Sequence, residues 1–400
     1  MSDLENISHV YKGLLLRNRA FASFRPDELN YINEDIKKYI HPGDWILDPM
    51  SGYGGGMLYF SGEGYKTYNI ELNPPAYYWQ ILTNPQNRTI VTETITSIIN
   101  RKNKLPRLIE KFSISDNLFT EIAINHIHKL YESIFEVVKN REISISLLLP
   151  FVARFANYQR SSTNITHFKE GGFCSFENWE IDFINYLEKL KNLLAELKFT
   201  EIEHSNILGN IFDINTNDKK FDFFITSPPY PNYRDYSKVF KIENWVLDNL
   251  FFPKNTNFSD MIGSNNVSGK KYNEVKSATA NKFLADLLEK SKKLQKKPKR
   301  DIETYYHPYF ALYFSQMQMA YNRLIEMLTE NVVGYIVVND NIIRDIPVPV
   351  GKTICDFFID MGFQTDSIDE TQIAHYGNIG KYAKRINSYH TRHILKVWKK

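Results

Sequence analysis

Two runs of residues and one acid carry groups suited to chemistry. Thr226-Ser227-Pro228-Pro229-Tyr230 sets a hydroxyl, two adjacent prolines and a phenol directly after an apolar run. Each proline fixes φ and lacks an N–H, so such a turn leaves backbone carbonyls pointing outward as acceptors. A ring amino group is a poor nucleophile because its lone pair is delocalised. Carbonyl and hydroxyl acceptors can hold its two hydrogens, localise the pair and aim it at an electrophile. An aromatic immediately after the turn can stack on a base swung out of a helix. Ser227, Pro228, Pro229 and Tyr230 are therefore the candidate catalytic residues.

The second run is Asp48-Pro49-Met50-Ser51-Gly52-Tyr53-Gly54-Gly55-Gly56. Glycines let backbone approach a cofactor closely after the first strand of an open nucleotide-binding sheet. No Gly-Lys-Ser/Thr follows, so this is not a phosphate-cradling loop, nor does it read G-x-G-x-x-G. A strand-end acid with a Gly-rich turn suits a cofactor that has an amino-acid moiety and little negative charge. Glu71 ends the next predicted strand at the distance expected of an acid that binds ribose hydroxyls. Against this stand two plainer readings: a tight strand–helix turn, and a solvated Glu before Asn73-Pro74.

The positioning elements follow from periodicity. Pro26–Ile40 predicts a helix stopped by His41-Pro42-Gly43, and Trp45-Ile46-Leu47 a short strand into the Gly loop. Thr67–Ile70 predicts the second strand and Pro75–Leu82 a helix. Residues 84–203 are mainly helical in pattern, clearest at Ala123–Val138 and Trp179–Leu197, with a polar, aromatic loop over Asn157–Asn178. Phe221–Thr226 predicts a buried strand into the Pro-Pro turn. Helices are expected over Tyr236–Leu250, Asn281–Leu294, Pro308–Leu328 and Lys352–Met361. Strands are expected over Val332–Val338, Phe363–Ile368 and His393–Val397. The catalytic domain is thus assigned to 1–83 and 204–400, with 84–203 as a helical insertion and 255–300 as a Lys-rich arm. An insertion of that length implies a subdomain rather than a bare loop.

Composition narrows the class. The 400 residues carry a formal net charge of only +3, so nucleic-acid binding would have to come from local patches. Two cysteines, Cys174 and Cys355, make no disulfide framework or Cys-rich zinc site, and a reducing cytoplasm fits. Neither a secretory signal nor a membrane span is read, and the ten His show no ligand spacing, so no metal is expected.

Thr226–Tyr230 resembles the T-S-P-P-Y motif of S-adenosylmethionine-dependent DNA amino-methyltransferases, and Thr226–Tyr236 the longer form T-S-P-P-Y-P-N-R-Y-D-Y. Asp48-Pro49-Met50-Ser51-Gly52 resembles their D-P-F-S-G cofactor loop. Phe24-Arg25-Pro26 resembles the aromatic segment that packs on the cofactor, and Gly209-Asn210 the G-D element whose polar residue faces the adenine. The likeness spans Phe21–Trp79 and Ile207–Val397 and leaves the middle uncovered. It implies an α/β fold, Rossmann-like class I methyltransferase, with a mostly parallel seven-stranded sheet, helices on both faces and a helical insertion. It implies S-adenosyl-L-methionine held by Phe24, Asp48, Pro49, Ser51, Gly52, Gly54, Glu71, Asn210 and Thr226. Ser at the head of S-P-P-Y goes in that family with N4-cytosine products. Tyr53-Gly54-Gly55 and Tyr233-Arg234 depart from the usual residues, as Asn210 does from Asp.

The partner so implied is double-stranded DNA with its target base flipped out, along with a cognate restriction nuclease in a restriction-modification or related defence system. Substrate contacts are expected from Asn232, Arg234 and Tyr236 beside the turn. In the insertion, Arg154, Tyr158, Arg160, Asn164, Lys169 and Trp179 offer basic, amide and aromatic groups. In the arm, Lys292, Lys293, Lys296, Lys297 and Lys299 could grip phosphates. The plain readings are a helical buttress and a solvated loop. Rival functions are an N6-adenine DNA enzyme or an RNA base methyltransferase on the same scaffold, and a catalytically silent nucleic-acid-binding module.

Overall fold

The structure, a computed structural model, describes residues 24–106, 112–113, 118–160, 166–168, 173–174, 179–197, 202–216, 219–231, 240–252, 261–264, 272–293, 301–343, 346–376 and 385–399. Seven strands form one sheet: β1 (Trp45–Asp48), β2 (Lys66–Glu71), β3 (His204–Leu208), β4 (Phe221–Thr226), β5 (Leu328–Asn339), β6 (Gln364–Tyr376) and β7 (Arg385–Trp398). Their order is β6-β7-β5-β4-β1-β2-β3. The pairs β4/β5, β1/β4 and β2/β3 are parallel, and β7 is antiparallel to β5 and β6. A largely parallel sheet with its first strand central and one reversed strand near an edge is the Rossmann-like class I methyltransferase fold expected from the sequence.

The helices used below are α1 (Pro26–Ile36), α2 (Gly55–Gly62), α3 (Pro74–Thr83), α4 (Arg88–Asn100), α5 (Glu121–Val138), α6 (Arg141–Leu148), α7 (Trp179–Glu196), α8 (Ala278–Lys292), α9 (His307–Ile325) and α10 (Val350–Asp360). Chain contacts divide into two compact units. One comprises Met1–Pro26, Gly52–Leu208 and Tyr236–Phe258; the other comprises Asp27–Ser51, Gly209–Asp235 and Ser259–Lys400.

The first unit is built on helical apolar faces. Ile127, Leu130 and Ile134 of α5 and Phe183, Leu187, Leu190 and Leu194 of α7 recur at helical spacing, and all are buried. They share one core with Trp79 and Leu82 of α3 and with Phe240 and Val246. Local starts are written in the sequence: the Thr120 side chain accepts from the Ala123 amide at 3.2 Å, and Asn140 from Ile143 at 3.1 Å. Trp179, offered by the sequence as an aromatic for base contact, is instead packed in this core, edge-on to His126. Burial among these rings lowers the His126 pKa to about 4, so it is a neutral core residue.

The second unit holds the central strands. Phe221, Phe223, Phe224 and Ile225 of β4 are all buried, as a strand covered on both faces requires. The Phe224 ring lies over Gly334 of β5, where an added Cβ would come within 2.0 Å of it. Arg392 of β7 makes a bidentate ion pair with Glu28 of α1, and both are buried. Asp35 of α1 takes hydrogen bonds from Lys396 at 2.5 Å and from the Tyr335 phenol, which together fasten α1 to β5 and β7.

Some sequence expectations are corrected here. The first helix stops at Ile36, four residues early, and the run to Ile40 is closed by turn hydrogen bonds such as Tyr39 N to Ile36 O. The stretch expected as a loop contains short antiparallel pairs, Tyr158–Arg160 with Thr166–Phe168 and Phe112–Ser113 with Phe173–Cys174. Strands β6 and β7 run well past their apolar cores because they pair with each other into polar sequence, where alternation gives no signal. Among the described residues, no helix is long and apolar enough to cross a membrane.

Removing one partner of a buried ion pair leaves an uncompensated charge. Glu28→Gln is expected to destabilise the protein by about 3–5 kcal/mol in chemical denaturation. A loss under about 1 kcal/mol would show that Arg392 finds solvent instead.

Candidate active site

In the second unit, β1 and β4 lie side by side and parallel, with Asp48 and Thr226 as their last residues. Asp48 is buried, and its carboxylate accepts from the Met50 amide at 3.1 Å, which turns the chain into Pro49-Met50-Ser51. Burial pushes its pKa up to about 7; the Met50 amide and the Thr226 hydroxyl offset a smaller part. Pro49 and Ser51 are buried as well. A Cβ at Gly209 would sit 2.4 Å from Ile214 Cδ1, so the end of the Ile214 side chain would have to shift to admit one. Asn210 next to it accepts from the Phe212 amide through Oδ1 at 3.2 Å, so its oxygen is shared with its own turn.

The Pro-Pro turn is held from several sides. The Tyr313 hydroxyl of α9 donates to the Pro229 carbonyl at 3.0 Å. The Asn341 side-chain amide, just past β5, donates to the Pro231 carbonyl at 3.0 Å. The Ser227 and Tyr230 hydroxyls are 3.2 Å apart, and Tyr230 is buried. Gly263, at φ +78°, packs by the turn: a Cβ there would lie 3.7 Å from the Tyr230 carbonyl oxygen. Burial works against the charge of Arg392, but the nearby Tyr230 phenol and Glu28 more than offset it, so its pKa is raised.

In the first unit, Gly52 is held through both of its backbone polar groups. Its N–H donates to Glu71 Oε2 at 2.7 Å, and its carbonyl accepts from Gln80 Nε2 of α3 at 2.6 Å. Glu71 Oε1 accepts from the Asn73 amide at 2.7 Å. Gly52 and Gly54 take φ of 54° and 74°, the left-handed region where glycine is at ease. A Cβ on Gly54 would also press Gln80 Cγ at 3.0 Å. Phe24 lays its ring on the start of α2, where a Cβ on Gly56 would come within 2.8 Å of it. The donor set suits a nucleoside with an amino-acid arm.

Asn232, Arg234 and Tyr236 lie outside the described residues, as do Asn164, Lys169, Lys296, Lys297 and Lys299. Arg160 is placed on its short strand by backbone alone. Lys292 ends α8, and Lys293 just after it pairs with Glu289 at 2.7 Å on the surface. Arg154 pairs with Asp182 at 2.5 Å. Among the described residues, no three His, Cys, Asp or Glu side chains gather as a metal site. Sequence reading missed Gln80, Tyr313, Asn341 and Arg392. The polar run Asn339-Asp340-Asn341 at a strand end was the one available signal.

No family model matches the chain, and no curated protein does. Among solved structures it is similar to an rRNA methyltransferase, aviRa, from Streptomyces viridochromogenes. That match has a TM-score of 0.32 and 8% identity over 97% of this chain and 92% of that one. A second match is a structure described as the conversion of a disulfide bond into a thioacetal group during echinomycin biosynthesis. Its TM-score is 0.29, with 11% identity over 99% and 93% of the two chains. At such scores the strand order, and not the likeness, defines the fold.

A carboxyl whose folded pKa is raised binds its proton more tightly than in the unfolded chain. The stability it lends is present at acid pH and lost as pH rises from the ordinary carboxylate range through about 7. Asp48→Asn is expected to flatten that decline, by up to about 1.4 kcal/mol per pH unit, in denaturant titrations across the range. Identical slopes in both proteins would mean that Asp48 is ionised throughout.

Proposed function

We propose that the chain is an S-adenosyl-L-methionine-dependent methyltransferase of exocyclic base amino groups, with N4 of cytosine in double-stranded DNA as its target. A cytoplasmic restriction-modification or related defence system is the setting this implies. The observation that carries the reading is the state of the Pro-Pro turn. Two of its carbonyls, Pro229 and Pro231, are taken by Tyr313 and Asn341, whereas the Pro228 carbonyl has no hydrogen-bond partner among the described residues. An acceptor left over beside a half-buried hydroxyl, Ser227, is what holding a two-hydrogen amino group requires.

When bound, the cofactor supplies a methyl group on a sulfonium. By the motif resemblance, the loop Asp48–Gly54 would take its methionine end and Glu71 its ribose, and Asn210, Phe24 and Thr226 are the further residues assigned to it. Ser227 Oγ and the Pro228 carbonyl accept from the amino group and hold its lone pair in line with the methyl carbon. The new N–C bond would form as the sulfonium's C–S bond breaks to leave a neutral thioether, and the amine's surplus proton would pass to solvent. No covalent bond between protein and base is needed, so Cys174 and Cys355 have no part. Tyr230 stacks on the extrahelical base, for which its ring must leave the burial seen here. Arg160, Lys292 and Lys293, together with Asn232, Arg234 and Tyr236, serve the duplex.

Labelled cofactor incubated with DNA and with RNA, followed by digestion to nucleosides and mass spectrometry, tests the reaction. N4-methylcytosine is expected. N6-methyladenine or a methylated ribonucleoside would move the reading to its rivals, and no product would leave a binding module. Glu71→Ala is expected to weaken cofactor binding by about 1.5–3 kcal/mol in calorimetry, as loss of a charged acceptor does. Ser227→Ala is expected to slow methylation while keeping measurable activity, since the Pro228 acceptor survives; full activity would remove Ser227 from the mechanism.

A further inference from the structure

We propose that Gln80 is a positioning residue for cofactor binding, acting through the Gly52 peptide; this rests on the cofactor assignment above. The Gln80 amide donates to the Gly52 carbonyl at 2.6 Å while the Glu71 carboxylate accepts the Gly52 N–H at 2.7 Å. These two groups lie in the successive peptide planes on either side of the Gly52 Cα, so holding both restrains the φ and ψ of Gly52. Gly52 needs this restraint, because a glycine at φ +54° is the residue least committed to any one conformation. The same side chain also lies under Gly54, within van der Waals reach of a Cβ that Gly54 lacks. One glutamine thus restrains two of the loop's glycines.

Gln80 is itself well founded. It is buried on α3, whose neighbours Trp79 and Leu82 belong to the helical core of this unit. Its backbone carbonyl accepts from Asn206 Nδ2 at 3.5 Å. Asn206 in turn accepts from Asn69 at 2.6 Å, and Asn69 meets His204 Nε2 at 3.1 Å. Among the described residues, hydrogen bonds join the clamp to two titratable groups: Glu71, through Gly52, and His204, through Asn69 and Asn206. Burial lowers the His204 pKa to about 4, so it stays neutral above that. Because it acts on the loop and not on the ligand, Gln80 is distinct from Glu71 in role.

The donor is what matters, so the test exchanges it. Gln80→Met keeps the length and loses the hydrogen bond. It is expected to weaken S-adenosylmethionine binding about tenfold in calorimetry, the scale of one buried hydrogen bond. Gln80→Glu has no donor when ionised and regains one when protonated. Its affinity for S-adenosylmethionine is expected to fall about tenfold at pH about 8 and to recover toward the parent as pH drops to about 6, with the parent titrated alongside to remove the effect of Glu71. A part that is only structural would lower the melting temperature of Gln80→Met while the folded protein kept the parent's affinity for S-adenosylmethionine. Parent-like affinity in Gln80→Met, or a Gln80→Glu profile parallel to the parent's, would overturn the proposal. A parent chain that binds no S-adenosylmethionine would instead refute the cofactor assignment on which it stands.

Discussion

A buried carboxylate with two backbone amides on it is the interaction on which the glycine-rich loop depends. Glu71 closes β2, and its two oxygens take the N–H groups of Gly52 and Asn73. A charge so placed is stable only if donors meet it, and the loop supplies them. The glycine-rich loop is thereby tied to the second strand, and α3 begins where Asn73 is fixed. The same helix returns Gln80 to the loop, which makes the arrangement a closed ring of contacts within one unit.

In the other unit the donors that the backbone needs come from neutral side chains. Two prolines leave the turn after β4 short of donors, so the chain cannot satisfy its own carbonyls there. Side chains distant in sequence supply what is missing: Tyr313 from α9 and Asn341 from the end of β5. Arg392, paired with Glu28, brings a fixed positive charge to the Tyr230 phenol. The turn is rigid because of its neighbours as much as its prolines.

What could be seen in the sequence follows from this. The strand Phe221–Thr226 and the turn after it were legible because an apolar run ends in residues of fixed backbone geometry. Glu71 was legible as the last residue of a strand, and the helices α5 and α7 by their period. Gln80, Tyr313 and Asn341 were not, because each acts across a tertiary contact and nothing in its neighbours marks it. Trp179 was misjudged for a related reason: an indole beside polar residues looks available until the helix it starts is packed. The polar ends of β6 and β7 were hidden because strands that pair with each other need no apolar pattern there.

The contact between Phe224 and Gly334 has a consequence for how this chain can change over generations. A ring on one central strand occupies the room where a neighbouring strand would carry its Cβ. Position 334 can acquire a side chain only in a lineage where position 224 has already given up its ring, and a large residue at 224 is tolerated only while 334 stays bare. The two sites form a lock with a single order of steps. Because position 224 stands two residues before Thr226, that lock also limits which strands can carry this turn.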